Sequence, residues 1–176
     1  ITVDSIWKGN ISYYSEATTI TIYGDLTGFN CKQNGGNIKA LDVSHNTLLT
    51  ELDCRGNLFT TLDVSNNTQL KELDCRGNQL TTLDVSGCRQ LKWLYCNNNN
   101  LTTLDVSACT QLEELYCHNN NFTTAALDRI YCTLPVMKSS KKARIHPLYL
   151  SSDPNSATVL ATNKYNATSK NWKVLY

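Results

Sequence analysis

Charge is scarce in this sequence. Charged residues make up 18% of 176, and 16 Lys+Arg against 15 Asp+Glu leave a formal net charge of +1, below the usual charged quarter of a globular chain. That balance excludes bulk attraction to nucleic acid or to an anionic membrane. No apolar run approaches the roughly 20 residues needed to cross a bilayer, so no membrane insertion by this chain is expected. The chain opens at Ile1 with neither a basic n-region nor an apolar h-region, which leaves its compartment to be read from other features. In place of charge stand 23 Leu, 20 Asn and 21 Thr, a pairing that points to repetition.

Self-comparison finds units starting at Leu41, Leu62, Leu83 and Leu104 with a constant period of 21 residues. They read LDVSHNTLLTELDCRGNLFTT, LDVSNNTQLKELDCRGNQLTT, LDVSGCRQLKWLYCNNNNLTT and LDVSACTQLEELYCHNNNFTT. A fixed period without insertions means that each unit is one coil of a solenoid, stacked because a single coil cannot bury its apolar side. Leu70-x-x-Leu73-x-Cys75-x-x-Asn78-x-Leu80-x-x-Leu83 fits the leucine-rich repeat template, whose Leu-x-Leu is a strand. The fold class expected is therefore an α/β-type leucine-rich repeat solenoid, mainly parallel β with little helix, a short right-handed horseshoe with caps at both ends.

Alternation along the strand sends Leu52 and Cys54 inward with their equivalents Leu73 and Cys75, Leu94 and Cys96, Leu115 and Cys117. The turn that follows needs its backbone groups satisfied, and stacked amides at Asn57, Asn78, Asn99 and Asn120 can satisfy N–H and C=O groups alike. The other half-unit, as at Leu62, Val64 and Asn67, predicts short extended segments on the far side. The whole chain is read as a single domain: a cap over 1–19, a degenerate first repeat over 20–40 carrying Phe29, Cys31 and Asn34 with a turn loosened by Gly35-Gly36, four repeats over 41–124, and a C-terminal cap over 125–176. In that cap Leu127, Ile130, Tyr131 and Leu134 recur at helical spacing behind a Thr124 N-cap, and Pro135 stops the helix. A strand over 143–150, a short helix begun by Asp153-Pro154 and a last strand at Trp172, Val174 and Tyr176 cover the open end.

The alternation of LDVSxN with LDCxxNQLTT, the lead-in ITIYGDLTGFNC and the tail DPNSATVLATN…NWKV resemble leucine-rich repeat proteins of Bacteroidetes bacteria, over roughly residues 20–176. The resemblance implies an exported or surface-attached protein that serves adhesion or recognition. Within it, Asp4-Ser5-Ile6 resembles the short O-glycosylation signal of that phylum.

Eight cysteines raise disulfides and zinc, but five of them occupy one template position on parallel strands about 4.8 Å apart, whereas a disulfide needs convergent Cβ atoms about 3.8 Å apart. They are expected as reduced, buried thiols; Cys132 is expected in the cap's core, and Cys88 and Cys109, which replace Asn46 and Asn67, are left as thiols or as a pair. Cys117 and His118 point to opposite faces of a strand, which argues against both a zinc site and a Cys–His nucleophile. No paired carboxylates with a pocket, Gly-rich phosphate loop or Ser-His-Asp arrangement survives the repeat, so no enzyme, cofactor or metal is expected. Asp42, Asp63, Asp84 and Asp105 recur with the period and are read as turn scaffold, and His45 as a plain turn residue. Lys138, Lys141, Lys142 and Arg144 form a basic run, read as a solvated loop. The sequon Asn100-Leu101-Thr102 follows from the repeat itself.

The variable positions of the main sheet are Glu51, Asp53 and Arg55; Glu72, Asp74 and Arg76; Trp93, Tyr95 and Asn97; and Glu114, Tyr116 and His118. All are expected to face solvent. Half the face is charged, with Arg55 and Arg76 offsetting the stacked Asp53 and Asp74. The other half carries aromatic rings, which either bury a partner or merely stack on one another. The functional reading is a non-enzymatic binding module at the cell surface or outside the cell, taking a protein or carbohydrate ligand on the concave sheet. Trp93, Tyr95, Tyr116 and His118 form its centre and Glu72, Asp74, Arg76 and Asn97 its polar surround. The alternative is a stalk or spacer in a larger surface protein with no ligand of its own. Thiol titration in denaturant is expected to count eight thiols, or six if Cys88 and Cys109 are joined.

Overall fold

The computed structural model describes residues 2–3, 18–32, 38–138, 143–148 and 156–176. Most of the expected N-terminal cap with its Asp4-Ser5-Ile6 signal, the Asn34-Gly35-Gly36 turn, Lys141, Lys142 and the Asp153-Pro154 helix start lie outside the described residues.

The chain coils between two parallel sheets. The larger has seven strands in the order β10-β9-β8-β7-β6-β5-β3: β3 (Gly28–Asn30), β5 (Glu51–Asp53), β6 (Glu72–Asp74), β7 (Trp93–Tyr95), β8 (Glu114–Tyr116), β9 (Ala143–His146) and β10 (Trp172–Val174). The far side holds β1 (Thr2–Val3), β2 (Thr19–Ile22) and β4 (Ala40–Asp42), continued by single bridges from Asp42 to Asp63 and from Asp63 to Asp84. The far side is thus extended rather than helical, as the 21-residue unit requires.

Register across the main sheet is without offset: Phe29 pairs with Leu52, then Leu73, Leu94, Leu115 and Ile145. From Leu52 to Ile145 this row is sealed from solvent, as are Cys54, Cys75, Cys96 and Cys117 beside it. Far-side Val43, Val64, Val85 and Val106 close the core from behind. Each of these valines follows an aspartate whose carboxylate accepts from a serine amide two residues on: Asp42 from Ser44 at 3.0 Å, Asp63 from Ser65 at 2.9 Å, and Asp84 and Asp105 from Ser86 and Ser107 at 2.8 Å. Hydrogen bonds from these serines hold all four carboxyls below their ordinary value, which is the scaffold role the period implied.

Between strand and far side runs the asparagine stack. The Asn78 amide donates to the Cys54 carbonyl at 3.1 Å and to Cys75 at 3.0 Å, while its oxygen accepts the Phe59 N–H at 3.1 Å. Asn99 repeats the pattern with Cys75, Cys96 and Leu80, and Asn120 with Cys96, Cys117 and Leu101. The turn ahead of each amide needs a left-handed residue: Gly56 and Gly77 adopt φ of 68° and 67°, and Asn98 and Asn119 take the same place at 55° and 51°. Asn is among the few side chains that tolerate this region, so the two residue types alternate there.

All eight cysteines are free. Cys88 and Cys109 aim their thiols at the Val64 and Val85 carbonyls, at 3.7 and 3.6 Å, in the role that the Asn67 amide plays toward Val43 at 3.1 Å. Cys132 corrects the expectation of a core residue: it is exposed, because the helical face turned inward presents Leu127, Ile130 and Tyr131 instead. That helix, α1 (Thr124–Thr133), is capped by Thr123 rather than Thr124, the Thr123 side chain accepting from the Ala126 N–H. It ends where Leu134 turns extended ahead of Pro135. Helices α2 (Ser156–Leu160) and α3 (Tyr165–Thr168) precede β10, where the Trp172 indole donates to the Pro135 carbonyl at 2.8 Å.

Asn78→Ala strands the buried Phe59 N–H and takes one of two amide donors from each of the Cys54 and Cys75 carbonyls, at a cost of about 2 kcal/mol. Asn66→Ala, on the exposed face, is expected to change stability by less than about 0.5 kcal/mol. Urea midpoints of the two variants check the contrast.

Candidate recognition surface

The zero-offset register sorts the outward side chains of the main sheet into three rows. The first runs Glu51, Glu72, Trp93, Glu114 and Arg144, the second Asp53, Asp74, Tyr95, Tyr116 and His146. The third, one residue beyond each inward cysteine, holds Arg55, Arg76, Asn97 and His118.

In the charged half, Arg55 Nη1 lies 3.1 Å from Asp74 Oδ2 and 3.7 Å from Asp53 Oδ2, and Arg76 Nη2 lies 3.3 Å from Asp74 Oδ2. The two arginines therefore offset the stacked carboxylates, and in doing so they cover one of them. Burial outweighs the two guanidinium groups and raises the Asp74 carboxyl. In the aromatic half, Tyr95 and Tyr116 have ring centroids 5.1 Å apart, tilted by 34°. The far face of Tyr116 stacks on His146 at 3.9 Å and 8°. His118 stands edge-on to Tyr116 at 6.5 Å, and the Arg76 guanidinium lies 5.8 Å from the Tyr95 ring centroid. Trp93 occupies the first row beside Glu72 and Glu114, with the Lys92 ammonium 5.9 Å from its ring.

All eight expected site residues lie on this one face, but three are not solvent-facing. Asp74, Asn97 and His118 are only 5%, 5% and 6% exposed. Strands about 4.8 Å apart let long side chains shade short ones: the arginines lean over Asp74, Asn97 sits in the row between Arg76 and His118, and Tyr116 crowds His118. Glu72, Arg76, Trp93, Tyr95 and Tyr116 remain partly exposed. Two participants were missed from sequence. His146 extends the aromatic stack, and Arg144 pairs with Glu114 at 3.2 Å. Carrying the inward–outward alternation around Ile145 into the strand expected at 143–150 would have placed both in these rows.

The face presents charges, hydrogen-bonding groups and aromatic rings. The thiols behind it are held protonated, burial pushing Cys117 up to about 12, and a neutral buried thiol is a poor nucleophile. Burial likewise raises the Tyr95 phenol, which keeps it a hydrogen-bond donor. No group of three His, Cys, Asp or Glu side chains converges in a way that could hold a metal ion among the described residues. Among them, too, no helix is long and apolar enough to cross a membrane.

Parallel coils of 21 residues, a Leu-x-Leu strand and an interior asparagine stack define a leucine-rich repeat solenoid. Residues 89–129 match the family model for two-copy leucine-rich repeats and residues 69–91 that for a single leucine-rich repeat. Among solved structures, the chain is similar to the functional domain of InlJ from Listeria monocytogenes, described as including a cysteine ladder. The identity is 35% and the TM-score 0.60, over 74% of this chain and 27% of that one. It also shares its fold with the internalin InlF of the same organism, at 18% identity and TM-score 0.50, over 81% of this chain and 39% of that one. The chain thus spans about a quarter of the first structure and two fifths of the second. A comparison with curated proteins gives no match.

Glu72 supplies a test of the face's electrostatics. Burial first, then Glu51, Asp74 and Asp53, raise its carboxyl. A raised carboxyl binds its proton more tightly in the folded than in the unfolded state, so the ionised group opposes folding, and this opposition fades as pH falls through the raised value. Glu72→Gln is therefore expected to melt above the parent at pH 7, with the difference closing below about pH 4; melting curves across that range measure it.

Proposed function

We propose that this chain is a non-enzymatic recognition module of an exported bacterial protein, of the Bacteroidetes surface type that its lead-in and tail resemble, and that it binds a protein or carbohydrate through the outer, concave side of its main sheet. The observation that carries the reading is the Tyr95–Tyr116–His146 stack with Trp93 alongside, partly exposed between Glu72 and Arg76 on one side and Arg144 on the other. Solenoids use this side as an extended binding surface. Aromatic rings give large contact area at low entropic cost and rank among the side chains that dominate binding energy. Asp74, Asn97 and His118 act from beneath, fixing the orientation of the exposed side chains above them.

The likeness to the InlJ domain supports the fold and the interior cysteines, and the ligand is argued from this chain's own surface. A stalk without a ligand would tolerate a charge at Tyr95; a recognition face would not. Screening host matrix proteins and a glycan array identifies the ligand. Trp93→Ala and Tyr116→Ala are then expected to weaken its binding about thirtyfold each, the roughly 2 kcal/mol of a hot-spot residue, and Tyr95→Glu to abolish it. Binding unchanged in all three variants removes the assignment.

A further inference from the structure

Charge is distributed unevenly along the chain. Residues 125–176 carry eight Lys and Arg against two acids, whereas residues 1–124 carry eight against thirteen. Part of the basic excess converges at one place. An open groove of about 960 Å³ beside β10 is lined by Arg144, Lys164, Thr168, Trp172, Lys173 and Tyr176 among others, with no acidic side chain among the described residues that line it.

The strand pairing sets Lys173 directly beside Arg144. Like charges opposed on neighbouring strands repel. Arg144 is partly neutralised from its other side by Glu114 at 3.2 Å, but Lys173 has no acidic partner among the described residues. Lys164 completes the set, its ammonium 4.8 Å from the centroid of the Tyr176 ring, which is 52% exposed. Three cations, an exposed ring and the Thr168 hydroxyl share one open cleft.

We propose that this groove is a second binding site, adjoining the aromatic face across Arg144, for an acidic polysaccharide. A carboxylate or sulfate of the ligand lies between Arg144 and Lys173, relieving their repulsion, and a sugar ring rests on Tyr176 next to Lys164. A densely charged polyphosphate chain fits less well. Leaving the groove along the sheet it meets Glu114, Glu72 and Glu51, whereas a glycan with one charge on every second sugar leaves most of its length neutral there.

Calorimetric titration of the whole chain with a hyaluronan oligosaccharide (one carboxylate on every second sugar), a κ-carrageenan oligosaccharide (one sulfate on every second sugar), neutral dextran and a single-stranded oligonucleotide tests the site. Either or both acidic glycans are expected to bind, more weakly as salt rises, and neutral dextran not to bind. The Lys164→Gln/Lys173→Gln variant is expected to lose about tenfold in affinity with its melting temperature unchanged, Tyr176→Ala to lose affinity as well, and Arg89→Gln, which removes an exposed cation outside the groove, to bind as the parent does. Undiminished binding by the double variant, equal binding of neutral dextran, or tighter binding of the oligonucleotide overturns the proposal. A salt-sensitive self-association that the double variant abolishes, with no glycan bound, overturns it in favour of a second copy of the chain as occupant.

Discussion

Stacking in register depends above all on one amide per coil. A turn that leaves a parallel strand has donors and acceptors with no strand to meet, and in a buried position each unmet group costs about 1–3 kcal/mol. Asn78, Asn99 and Asn120 answer this in the same way, donating to the carbonyl of their own strand's cysteine and to that of the preceding coil, and accepting an amide from the coil before. Each side chain therefore ties two coils at fixed height. The zero register offset of the main sheet and the continuous leucine and cysteine rows behind it follow from that tie.

Because the interior is held so uniformly, the exterior is free to differ from coil to coil. Three outward positions per strand change from Glu, Asp and Arg to Trp, Tyr and Asn within two coils, and the backbone beneath does not respond. Neighbouring coils then act as one surface: Arg55 serves the aspartate of the next strand at 3.1 Å, closer than its own at 3.7 Å. Tyr116 likewise stacks between Tyr95 and His146, side chains of two other strands. The chemistry of the face belongs to the stack and not to any one repeat.

The period made most of this legible in the sequence, since 21-residue spacing with Leu-x-Leu places every inward and outward side chain of the four full repeats without coordinates. It could not tell how deep an outward residue sits. Asp74, Asn97 and His118 occupy outward positions and are nevertheless covered, because covering depends on side-chain lengths on the strands to either side, a cross-coil property that a repeat read one unit at a time does not contain. Errors cluster where the period stops. In the cap, Thr123 rather than Thr124 starts the helix and Cys132 points out while Tyr131 fills the core; one residue's shift along a helix turns a side chain by about 100°. His146 and Arg144 were missed for the same reason, lying one strand beyond the last repeat.

The left-handed turn position, glycine at 56 and 77 and asparagine at 98 and 119, has a bearing on how such a chain can change over generations. Both residue types close the bend with the same geometry, so a coil of either kind joins onto a coil of the other. Unequal crossing-over between the segments that encode these repeats would delete or duplicate whole coils in frame, lengthening or shortening the wall while the inward rows continue. A slip of one residue within a Leu-x-Leu strand, by contrast, would turn its leucines outward.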